Sequence, residues 1–100
     1  MNAPGDRNGR SGLLPYKSTP VYDENSLPQA IRSEHRTKPG TWGLLRVLEG
    51  HVTLVFTDPH HEIEVTPRHP AEIAPQATHF VRLDGPARLQ VEFYHEPPSG

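Results

Sequence analysis

Residues 41–58 read TWGLLRVLEGHVTLVFTD, and their pattern decides the fold class. Trp42, Leu44 and Leu48 fall on one face of a period-two reading and Leu45 and Val47 on the other, which predicts a strand covered on both sides. Glu49-Gly50 is a turn signal. Beyond it Val52, Leu54 and Phe56 alternate with His51, Thr53, Val55 and Thr57 until Asp58-Pro59 breaks the run. The stretch predicts a β-hairpin that turns at Gly50. Arg46 is a charge inside an apolar strand and needs a partner, for which Glu92 is the candidate in a structural ion pair.

The same grammar continues in both directions. Downstream, HEIEVTP (61–67), AEIAP (71–75), HFVRL (79–83) and ARLQVEFYH (87–95) are short apolar alternations separated by turn residues such as Asp84-Gly85-Pro86. Upstream, LLPYKSTPV (13–21) contains two prolines, which suits an extended edge segment and forbids a central strand. Between them LPQAIRS (27–33) predicts one or two helical turns, started by Asp23, Asn25 or Ser26 and stopped before Lys38-Pro39-Gly40. Six or seven short strands at roughly 8–12-residue spacing predict an all-β sandwich or barrel with one short N-terminal helix.

Composition narrows the function classes. The chain has 100 residues, 33% hydrophobic, with 12 Pro and 8 Gly, so it builds one small domain rich in turns. Dimerisation would bury apolar surface that such a monomer leaves exposed, and a homodimer is one expected partnership. A net charge of −2 shows no basic face for nucleic acid. No run approaches the ~20 apolar residues of a membrane span, and MNAPGDRNGRSG (1–12) lacks the apolar core of a secretion signal, so the expectation is a cytoplasmic protein without nucleic-acid or membrane partners. Residues 1–12 are read as a disordered tail, 13–97 as the domain and 98–100 as a second tail.

Three segments, EHRTKPGTWGLLRVLEGHVTLVF (34–56), AEIAPQATHFV (71–81) and VEFYHEP (91–97), together resemble the small bacterial cupins of the tellurite-resistance-like type, either alone (YeaR-like) or ahead of a methyltransferase in TehB-type proteins. The resemblance implies a double-stranded β-helix, a jelly-roll barrel with a pocket in its mouth. It also implies a metal site. In its first motif His35 takes the first histidine place, Thr37 falls on the second, Gly43 falls near the glutamate and Gly50 closes the motif. In its second motif Pro75 and His79 stand where the family has its proline and final histidine.

The residues themselves leave alternatives open at each position. His79 opens a strand after PQAT and serves either as a ligand aimed inward or as a strand-start histidine bonded to a backbone carbonyl. With 0 Cys, a transition metal must use His, Asp or Glu. Glu92 shares a face with Arg88, Gln90 and Tyr94; that face either lines the pocket, completing a His35, His79, Glu92 set for a divalent metal ion such as zinc, or meets solvent. His60-His61 lies in a turn and points apart. No Gly-x-Ser-x-Gly nucleophile or phosphate loop is present. The functional expectation is a metal-containing cupin that binds a small molecule or oxyanion in a tellurite-resistance-like stress role. The alternatives are a metal-dependent dioxygenase or isomerase, and a structural or regulatory dimer with a vestigial pocket.

Overall fold

The computed structural model describes residues 14–98. Residues 1–12 and 99–100, read above as tail, lie outside the described residues, while Pro98 is fully buried. Among the described residues the strands are β1 (Lys17–Ser18), β2 (Tyr22–Asp23), β3 (His35–Arg36), β4 (Trp42–Glu49), β5 (Val52–Thr57), β6 (His60–Val65), β7 (Ala71–Ile73), β8 (Thr78–Leu83) and β9 (Arg88–Tyr94), with one helix, α1 (Gln29–Arg32). The chain is mostly β, as its alternations require. No helix among the described residues is long and apolar enough to cross a membrane.

Every strand pairing is antiparallel. One sheet runs β1-β9-β4-β7, with β2 also on β9, and the other runs β3-β8-β5-β6. The sheets share no strand, so they face each other as an open sandwich and do not close into the barrel that the resemblance implied. From β4 onward the chain crosses between sheets through turns, at Gly50, at residues 66–70, 74–77 and 84–87, instead of through strands bent around a corner.

The hairpin expected at Gly50 does not form. β4 bonds to β7 and β9, whereas β5 bonds to β6 and β8. The inward face of β4, Leu45 and Val47, opposes the inward face of β5, Val52 and Leu54, across the core, and pairing the strands would put both sets on one surface. Gly50 makes this crossover possible: its φ is +76°, and a Cβ there would stand 2.5 Å from the Pro86 carbonyl oxygen. The tight hairpin falls one strand later, where Thr57 pairs with His60 around Asp58-Pro59.

Leu45, Val47, Val52, Leu54, Val65, Ile73, Val81 and Leu89 fill the space between the sheets. On the outer face of β4, Leu44 is 1% exposed and Leu48 is 43% exposed, so covering on both sides holds for the middle of the strand and not for its end. Near the helix the sequence expectation shifts by one turn. Asp23 accepts bonds from the Asn25 and Ser26 amides at 2.8 and 3.0 Å, and thus organises the turn at 23–27. The helix itself starts after Pro28 without a side-chain cap. Those bonds, that of Asn25 foremost, hold the Asp23 carboxyl below its usual range.

Candidate functional site

The site begins with a cross-strand pair. β3 lies against β8 with His35 directly opposite His79, and their ring centroids are 4.2 Å apart at 58°. Convergence of these two histidines, distant along the chain, follows from one register. His79 is 2% exposed and His35 is partly buried. Phe56, opposite His79 on β5, packs at 6.1 Å between centroids.

Each imidazole is locked by a carbonyl two residues before it: His79 Nδ1 lies 2.7 Å from the Ala77 oxygen and His35 Nδ1 lies 3.0 Å from the Ser33 oxygen. A carbonyl can only accept, so each Nδ1 carries the proton and donates it. In a neutral ring held this way the lone pair falls on Nε2. Burial pushes the His79 pKa below the usual histidine value; the Ala77 carbonyl opposes this and neighbouring His35 adds to it.

Thr37 holds the turn that delivers His79. Its hydroxyl donates to the Ala74 carbonyl at 3.1 Å and accepts from the Gln76 amide at 3.0 Å, which bridges the segment after β3 to the turn before β8. Gln76 there has φ of +65°. The sequence showed Thr37 only as a missing ligand; a threonine facing a Pro-Gln turn was the signal of a clamp. Gly43 is likewise structural, because a Cβ there would already touch Ile73 at 3.4 Å and Val91 at 3.7 Å inside the core.

Above the histidines lies a cavity of about 270 Å³. Its floor is apolar, formed by Leu45, Ile73, Val81, Val91 and Phe93, while the charged residues lining it are Lys17, Arg36 and Lys38, all exposed. No carboxylate lines it, and none stands within ion-pair distance of these three cations among the described residues. Sequence reasoning missed this cation set because its members sit on short irregular segments, without a period to read.

Glu92 is not brought to the site. Leu89, Val91 and Phe93 take the inward face of β9, and Glu92 lies on the other, where its Oε1 accepts from Arg46 Nε at 2.8 Å and from the Tyr94 hydroxyl at 2.9 Å. The ion pair expected for Arg46 is present. The structure thus brings His35 and His79 together without Glu92, and the expected divalent metal ion is corrected: two imidazoles meet where zinc usually takes three or four protein ligands, and among the described residues no group of three or more potential ligands converges. The remaining five histidines lie elsewhere: His60 on Glu62 at 3.1 Å, His51 near Glu64 at 3.7 Å, His95 stacked on Tyr16 at 3.9 Å, His61 against Phe56 at 5.7 Å and His69 in a backbone bridge with Thr66.

Fold and site together define a two-sheet antiparallel β domain with an apolar cavity rimmed by cations. A family model described as the TehB-like domain matches residues 17–91, and the chain belongs to that family. It is 35% identical over 77 residues to a probable S-adenosyl-L-methionine-dependent methyltransferase TehB of Haemophilus influenzae strain 10810, covering 72% of this chain and 27% of that protein. The TehB of strain Rd is 46% identical over 41 residues, 41% of this chain and 14% of that one. Among solved structures, TehB of Haemophilus influenzae matches with a TM-score of 0.71 at 34% identity, over 80% of this chain and 30% of that chain. A protein of Escherichia coli K12 shares the fold, with a TM-score of 0.68 at 21% identity, over 81% of this chain and 89% of that one.

The chain thus spans less than a third of the TehB proteins it matches. These matches support the TehB-related half of the resemblance and do not carry the YeaR-like cupin name. They also correct the expected function. A metal cupin, whether a binding protein with a stress role, a dioxygenase or isomerase, or a dimer with a vestigial pocket, gives way to a TehB-like domain, similar to part of proteins named as probable methyltransferases.

Proposed function

We propose that this chain is the ligand-recognition domain of a methyltransferase-related system, holding a small organic anion that serves as methyl acceptor. The observation that carries the reading is the cavity lining: Lys17, Arg36 and Lys38 at the mouth without a carboxylate, over an apolar floor. A charged head stays near water and the cations while an apolar body replaces water below. At about 270 Å³ the cavity lies near the lower end of ligand pockets, roughly 300 Å³, and suits a molecule smaller than a nucleotide. The chain order supports a jelly-roll reading of the fold, because β4 pairs with β7 and β9 in one sheet while β5 pairs with β6 and β8 in the other, so that the chain passes back and forth between facing sheets.

The methyl donor named for the relatives does not fit this domain. A doubly wound nucleotide site needs parallel strands joined by helices that open on a glycine-rich turn. Here all pairs are antiparallel, and the described helix has four residues. In this reading methyl transfer belongs to a protein or domain of different fold, and this chain presents the acceptor. The test is calorimetric titration of the chain with hexanoate and with hexanamide, its neutral counterpart. Hexanoate should bind about tenfold more tightly, with the advantage shrinking in high salt and in a Lys17→Gln, Arg36→Gln, Lys38→Gln variant. Equal binding of acid and amide would sink the reading.

A further inference from the structure

We infer that the ligand of this cavity carries a hydrogen-bond donor, an O–H, N–H or S–H group, at the end remote from its anionic head, and that Nε2 of His35 and His79 receives it. The inference rests on the anion reading above and adds the chemistry of the opposite end. It comes from accounting for every polar side chain that lines the cavity. The three cations are exposed and mark the mouth, whereas His79 is 2% exposed among Leu45, Ile73 and Val81 and marks the depth.

The hydroxyls in the lining are already engaged. Thr37 bridges Ala74 and Gln76. Thr19 donates to the Pro20 carbonyl at 2.8 Å and accepts from the Val91 amide at 3.1 Å. Thr41 and the Tyr16 hydroxyl share an exposed contact at 3.4 Å that uses one of their two O–H donors, and both lie toward the open side. Both histidine Nδ1 atoms are spent on carbonyls. Among the described residues the polar side-chain atom left deep in the cavity is Nε2 of His79, with Nε2 of the part-exposed His35 beside it; in neutral rings protonated on Nδ1 both accept and cannot donate. A ligand whose inner end is purely apolar expels water from them and leaves buried acceptors unpaired, whereas a donor there satisfies them. A site built this way discriminates between the two by roughly tenfold to a hundredfold. The substrate class is therefore a short acid with a terminal hydroxyl, amine or thiol, whose donor atom is also the type of atom that accepts a methyl group after losing a proton.

The experiment pairs butanoate with 4-hydroxybutanoate and hexanoate with 6-hydroxyhexanoate, by calorimetry and by long-range proton–nitrogen NMR of the histidine rings in the intact chain. The expected result is that at least one hydroxy acid binds about tenfold more tightly than its parent and shifts the Nε2 resonances of His35 and His79, with both rings protonated on Nδ1. In His35→Phe, on a part-exposed two-residue strand, the ratio of hydroxy-acid to parent-acid affinity should fall. The ring spectra need no substitution, so the inference stays testable if a variant at His79 fails to fold. Equal binding of both members of each pair, or tighter binding without an Nε2 shift, overturns the donor inference and leaves the anion reading standing. Absence of binding by all four acids overturns both.

Discussion

Protonating His79 means placing a charge on a ring that is 2% exposed and beside a second imidazole. The unfolded chain pays no such cost. Because the folded value lies below the ordinary 6.5, the unfolded state binds the proton first as pH falls, and stability decreases below about pH 6.5 until the folded ring also titrates. Urea midpoints measured from about pH 8 to about pH 5 should fall through this window, and a His79→Gln variant should flatten the profile. Asp23 and Glu62 act in a separate, lower window. Their carboxyls are held below 3.8 and 4.5, by the Asn25 amide and by Arg82 respectively, so their contribution is present above those values and is lost only as pH falls further. At the neighbouring clamp, Thr37→Val keeps the shape and removes both bonds, so it should cost about 1 kcal/mol and change the His79 ring resonances, which urea unfolding and NMR would check. His79 could be picked out from its strand-start place after PQAT. Its tautomer and the Thr37 clamp could not, since both depend on carbonyls and amides whose positions are set by other segments.

Strands are where periodicity speaks most clearly, and where pairing remains silent. Alternation placed Val52, Leu54 and Phe56 on one face of β5 and Leu89, Val91 and Phe93 on one face of β9, as found. The same alternation let Glu92 face either way, because a polar stripe is equally at home in a wet pocket or on an outer surface. Only the sheet order decided it. Glu92→Ala should therefore leave hexanoate binding unchanged and cost about 1–3 kcal/mol in urea unfolding, as Arg46 and the Tyr94 hydroxyl lose their acceptor in a half-buried setting. A fall in binding with intact stability would return Glu92 to the site. Gly50 is the corresponding test of the crossover. Gly50→Ala meets both a positive φ and the Pro86 carbonyl, so it should destabilise by more than about 1 kcal/mol, seen as a lower urea midpoint with an unchanged slope.

At the scale of the whole molecule, the two sheets enclose one core and open on one cation-rimmed cavity, and among the described residues there are no parallel strands joined by helices of the kind a doubly wound nucleotide site requires. The chain should accordingly show no calorimetric signal with S-adenosylmethionine, while a saturating binding curve would contradict the division of labour proposed above. By itself the sequence determined that the chain is mostly β, roughly where its longer strands lie and which of their side chains seek the interior, since these follow from local periodicity and turn chemistry, while its TehB-related family showed as a resemblance in three segments; the two-residue strands β1, β2 and β3 carry no period to read. The tertiary structure alone decided that Gly50 is a crossover, that the sheets stay open, that Glu92 turns away, and that three cations meet two carbonyl-locked imidazoles around one cavity. Those outcomes depend on which strands become neighbours, and strand pairing is set by burying all the apolar faces at once, a condition that no single stretch of the chain contains.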